Sequence, residues 1–309
     1  MPAFVTHELA GRELLSRLSL REKRTVGRAP WAYFWGLQGP DLLFFRDAVR
    51  GKSSLPQMGS FLHQQDPGEL LGAMAAYAAG QPEEEREMLL AYCLGFVGHY
   101  VMDTQLHPYV YAQQVRISRQ LPEAWRGGVH FRIESEMDTA YYRCRTGRAV
   151  QEYAPAPRLW GTRAQRKVIA GLYEFLLREI YGFEVEPGQV EACFADTRRI
   201  MGLTLCPWDG VQKAAWALEG LGARWGSLSG HIRPRHVDWD VLNLAQRPWQ
   251  SPEAGSAPDC RSVPQLVEAA CRMGEELCAQ LAAAVRSGQE LVLPGLPSFD
   301  RGAPVGTDC

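Results

Sequence analysis

The stretch GFVGHYVMDTQLHPY, Gly95 to Tyr109, decides the fold. It sets His99, Asp103 and His107 four residues apart in a run that is otherwise largely apolar. A spacing of four returns side chains to one helix face, so His99 and Asp103 should stand side by side and reach a single ion. From Met88 onward apolar residues nearly encircle the segment, as expected of a helix buried on most sides. Ionisable groups there are costly unless they are paired or bound to metal. A proline and a run of glutamates at Pro82–Glu85 suit a helix start. Pro108 disfavours helical geometry at the residue before it, so the spacing predicts a helix over 83–106 with His107 just past its end.

Outward from this segment, helical periodicity dominates and no run alternates as a strand would. Helices are predicted over roughly 7–24, 67–80, 129–146, 161–181, 187–202, 208–228 and 262–287. Residues 231–261 read as an irregular connection. The expected architecture is all-α, one multi-helix domain over 1–288, followed by a flexible, Pro- and Gly-rich tail over 289–309.

The chain of 309 residues has 46% hydrophobic and 22% charged residues and a net charge of -2, the balance of a globular protein without the basic bias of a nucleic-acid binder. The N-terminus lacks the basic-then-apolar order of a secretory signal, and no apolar run reaches membrane-spanning length. None of the eight cysteines forms a CxxC pair. Reduced thiols and a cytoplasmic location are expected.

A second nitrogen–carboxylate pair at the same spacing, His130 and Glu134, stands in GVHFRIESEMD. Such donors suit zinc and other first-row ions. His7 in FVTHELAG, Asp41 in GLQGPDLLFF and His63 in MGSFLHQQD are further candidates. Taken singly, a histidine on an apolar face is more often a hydrogen-bonded core residue, and a helical His–carboxylate pair is commonly a surface ion pair. Two such pairs with His107 between them favour metal. His231 and His236, in an Arg-rich loop with Asp238, read as a solvated or hinge-like segment outside the site. Trp31, Tyr33, Phe34 and Trp35 read first as core, with a pocket for a quaternary ammonium as the functional alternative.

The ordered motifs THELAG, GLQGPDLLFF, MGSFLH, GFVGHYVMDTQLHPY and HFRIESEMD resemble the zinc-dependent phospholipase C family of bacteria, over residues 1–145 with a looser echo at DWDVLNLAQRPWQSP. The resemblance implies an all-helical fold around a cluster of up to three zinc ions. It implies that His63, His99 and Asp103 hold one zinc, with Asp41 beside it as ligand and general base. His107, His130 and Glu134 match a second zinc, and His7 with a bridging Asp103 matches a third. The family completes that third site with its N-terminal residue. This chain begins Met1-Pro2, so two zinc ions are expected; a third site would be incomplete, built differently, or completed by the Pro2 amine after removal of Met1.

The implied activity is metal-dependent hydrolysis of phosphodiester bonds, phospholipase C-like, on a phospholipid or other small phosphodiester. At most peripheral membrane contact and no stable nucleic-acid binding are expected. The same metal set on a nuclease-like enzyme is one alternative. A metal-stabilised helical binding protein without turnover is another. A di-iron bundle would need two Glu-x-x-His motifs, which the chain lacks.

Overall fold

The central helix is longer than its proline led us to expect. In the structure, a computed structural model describing residues 4–46, 53–154, 157–186, 188–205, 209–221 and 229–302, it runs unbroken over Glu83–Ser118 with Pro108 inside it. Proline removes the donor to the carbonyl of Thr104 and crowds that turn. Burial on both sides outweighs this local preference, for Leu106, His107, Tyr109 and Val110 are all buried. The correction moves His107 into the helix.

Helices α1 (Phe4–Arg17), α2 (Leu20–Arg28) and α3 (Pro30–Gly36) come first, α1 and α2 being separate because Ser19 caps α2 by accepting from Arg21 and Glu22. A 3₁₀ turn, Gly39–Phe45, leads to α4 (Leu55–Leu62) and α5 (Pro67–Ala79). The long helix is α6 (Glu83–Ser118), and α7 (Val129–Thr146) follows it. Then come α8 (Arg163–Phe175), α9 (Gln189–Thr204), α10 (Asp209–Leu221) and α11 (Val263–Ser287). No strand occurs among the described residues beyond one bridge between Trp249 and Asp259. The fold is all-α. No helix among them is long and apolar enough to cross a membrane.

Helices α1, α3, α5, α7 and α11 pack around α6, whose residues from Leu89 to Thr104 are buried throughout. Helix α3 lies close on α6, where glycines face each other. A Cβ on Gly95 would lie 2.2 Å from the Tyr33 carbonyl oxygen and 2.9 Å from the Gly36 Cα. Nothing larger fits. This contact lays the 3₁₀ turn after α3 over the face of α6 that carries His99.

The C-terminal segment also departs from expectation. Residues 289–302 pack against the body, and 303–309 lie outside the described residues. Phe299 is fully buried, 4.8 Å from the Tyr100 ring and 5.5 Å from that of His63. The Tyr100 hydroxyl donates to the Pro297 carbonyl at 2.6 Å, and the Thr104 hydroxyl to that of Ser298 at 3.4 Å. A segment rich in Pro and Gly reads as a tail from composition, but one aromatic anchor and backbone acceptors suffice to dock it.

Candidate metal centre

With His107 inside α6, His99, Asp103 and His107 stand at positions i, i+4 and i+8 of one face. That face spans about 12 Å along the axis at 1.5 Å per residue, room for two adjoining sites. Asp103 lies at its middle. Its Oδ1 is 3.2 Å from His7 Nε2 and 3.8 Å from His107 Nε2. Its Oδ2 is 3.1 Å from His99 Nε2 and 3.7 Å from His63 Nε2. One carboxylate thus meets four imidazoles.

Each neighbouring element delivers its side chain for a local reason. His7 sits in the first turn of α1, whose backbone N–H groups at Val5 and Thr6 donate to the buried Asp138 at 3.3 and 2.8 Å. Asp138 in turn accepts from Arg233 at 2.8 and 3.0 Å, and the Arg233 guanidinium lies 3.8 Å from the centre of the Phe4 ring. Asp41 is in the 3₁₀ turn opened by Gly39, whose φ of 50° is a left-handed value; a Cβ there would strike the His99 ring at 2.1 Å. His63 caps the end of α4, with Nδ1 2.8 Å from the Gly59 carbonyl oxygen and Nε2 3.3 Å from Asp41 Oδ1. From α7 come His130 and Glu134, 3.2 Å apart, and Glu134 lies 3.6 Å from His107 Nε2. His130 Nδ1 faces Gln114 Oε1 at 3.2 Å.

All eight side chains singled out in the sequence therefore converge. Three groups have their donor atoms within 4.8 Å of one another: His7, His99 and Asp103; Asp41, His63 and His99; His107, His130 and Glu134. Four donors at zinc distances of 2.0–2.1 Å around one ion stand about 3.3 Å apart, and the nitrogen–oxygen separations here straddle that value. The pairs do not satisfy each other as hydrogen bonds: Asp41 Oδ1 and His99 Nε2 are buried and have no hydrogen-bond partner among the described residues. Buried polar atoms without partners call for an explanation, and a shared cation is the one their chemistry suits. The residues present fit a divalent first-row ion in each region of the cluster.

The electrostatics agree. Burial pushes the Asp41 carboxyl up, but the positive charge around it, that of His99 and His63 included, outweighs this and brings it down to about 2. Burial likewise opposes ionisation of Asp103 and Glu134; the surrounding histidines hold Asp103 well below the usual range, and positive charge, that of His130 included, does the same for Glu134. Against the pull of burial, Asp103, Asp300 and Glu134 hold His107 well above its ordinary value. Desolvation wins at His99 and lowers it. Ionised carboxylates that draw protons onto histidines would equally draw a cation, and cation binding there would release those protons.

Three features escaped the sequence reading. Asp300 lies 3.4 Å from His107 Nδ1, in the segment taken for a tail, where a Phe–Asp pair was the only signal. Gln114 lies seven residues beyond His107 on a stretch not expected to be helical. His231 is half-buried: it stacks on Phe131 with ring centres 4.3 Å apart, and Arg233 beside it is buried. His236 is exposed, as expected. Trp31, Tyr33, Phe34 and Trp35 are core residues, each at most 4% exposed. Met1 and Pro2, which a third site would involve, lie outside the described residues. Comparison of the chain with protein-family models, with curated proteins and with solved structures found no match.

Proposed function

We propose that the chain is a zinc-dependent phosphodiester hydrolase of the phospholipase C type, acting on a phospholipid or other small phosphodiester. The observation that carries this is the convergence of five histidines and three carboxylates from the 3₁₀ turn, α1, α4, α6 and α7. His63, His99, Asp103 and Asp41 would hold one ion, and His107, His130 and Glu134 a second. Bound there, divalent cations supply Lewis acidity toward a phosphate and bring the pKa of water toward neutrality. Asp41 is the general base in this reading: its carboxyl stands beside the same ion, with Oδ1 3.3 Å from His63 Nε2. It accepts a hydrogen bond from the attacking water and takes up its proton. Asp103, shared among four imidazoles, fixes their rings in one arrangement.

A second reading, a metal-stabilised helical protein without turnover, has its own support. Seven of the eight side chains are buried, and the eighth, that of His130, is 14% exposed. The assay that separates the two uses zinc-loaded protein with a chromogenic phosphodiester and with phosphatidylcholine vesicles. Hydrolysis that falls at least 100-fold in Asp41→Asn while metal content is retained supports the enzyme. Metal retained with no hydrolysis of either substrate supports the second reading.

A further inference from the structure

The outer nitrogens of the cluster histidines are not treated alike. His63 Nδ1 faces a backbone carbonyl and His130 Nδ1 a side-chain amide, both neutral acceptors. His107 Nδ1 lies 3.1 Å from the Phe299 carbonyl oxygen and 3.4 Å from Asp300 Oδ1. A carbonyl can only accept, so Nδ1 carries the proton and the lone pair of Nε2 points toward Asp103 and Glu134. Of the described residues, Asp300 is the one carboxylate set behind a cluster histidine on its outer side. Its position is fixed from both sides. Phe299 is buried against Phe96, Tyr100 and the rings of His63 and His99, and Ser298 accepts from Thr104 one helical turn before His107.

We propose that Asp300 is a positioning residue of the metal centre: through His107 it sets the cation affinity of the site formed by His107, His130 and Glu134. A carboxylate behind a ligating imidazole fixes its tautomer and ring orientation and makes the inner nitrogen more basic. The C-terminal segment is then part of the site, reaching a ligand on α6 from the opposite end of the chain. This rests on the metal-binding reading given above and adds to it a residue outside the motifs.

Cobalt(II) titration of the metal-free protein tests it, with absorption reporting ligand geometry and a competing chelator giving affinities. Wild type should take up two equivalents. Asp300→Asn keeps the shape and removes the charge, and should weaken one of the two sites about tenfold; Asp300→Ala should weaken it by up to about 100-fold. The band of that site should shift, the other site should stay unchanged, and Asp300→Glu should recover most of the affinity. Equal melting temperatures of the metal-free wild type and Asp300→Asn would show that the fold is intact. Two sites of unchanged affinity in both Asn and Ala variants would overturn the proposal while leaving the metal reading in place, as would faster hydrolysis at unchanged affinity, which would make the segment a cover. Wild type that takes up no cobalt would overturn the metal reading itself, and this proposal with it.

Discussion

His231 stacks on Phe131, the neighbour in sequence of His130, with 29° between the ring planes. Burial lowers its pKa, the Arg233 charge adds to this, and Glu134 and Glu219 oppose it; the result is about 4. In the unfolded chain the imidazole titrates near 6.5. Between these values the unfolded state binds a proton that the folded state refuses, so stability falls as pH is lowered from about 6.5 to about 4. The full effect is about 3 kcal/mol. In urea melts across that range, His231→Phe should show a shallower loss of stability than wild type; parallel curves would show that His231 does not titrate between the two states. The same residue shows where reading by composition fails. Five histidines stood out because apolar neighbours surround them. His231 sits among arginines and was read as solvated, whereas Asp138 draws Arg233 inside and the loop follows. A buried partner 95 residues away leaves no mark on the local sequence.

Among the elements, α6 and α3 are held to a close contact by their glycines. Gly95→Ala would put a methyl group 2.2 Å from the Tyr33 carbonyl oxygen, against backbone that cannot turn away as a side chain could. Overpacking of this kind costs about 1–3 kcal/mol, and the upper end is expected here. Loss of stability should come with loss of metal affinity, because the same contact holds Gly39 and Asp41 over His99. A variant as stable as wild type would mean that the helices part more easily than their contact implies. The long helices were legible because three or more turns of apolar periodicity leave a pattern. The pieces between residues 30 and 62 were not: α3, the 3₁₀ turn and α4 are seven or eight residues each, too short for the period to show. Pro108 was read correctly as a local obstacle, but burial of the flanking turns decides a helix of 36 residues.

For the molecule as a whole, the site depends on contacts distant in sequence. The bundle brings α1, the 3₁₀ turn, α4 and α7 onto one face of α6, and Arg233 and the Phe299–Asp300 pair reach the same region from later in the chain. Residue types and spacings along the first 145 residues were enough to nominate every side chain in the cluster. The outer support from Asp138, Arg233, Gln114 and Asp300 was hidden, because only the fold makes those residues neighbours. Three carboxylates and neutral histidines give the cluster a formal charge of -3, or -4 with Asp300, and two divalent ions would balance it within one unit. Without such ions, protons on His107 and its neighbours would have to compensate that charge.

The most direct test of this account is the metal content of the purified chain, measured by inductively coupled plasma mass spectrometry on protein prepared without an affinity metal or a chelator. Two zinc ions per chain are expected, or three if the N-terminal residues contribute, and Glu134→Ala should lose one equivalent. Stably folded wild-type protein with no bound metal, and none taken up on addition of zinc, would contradict it.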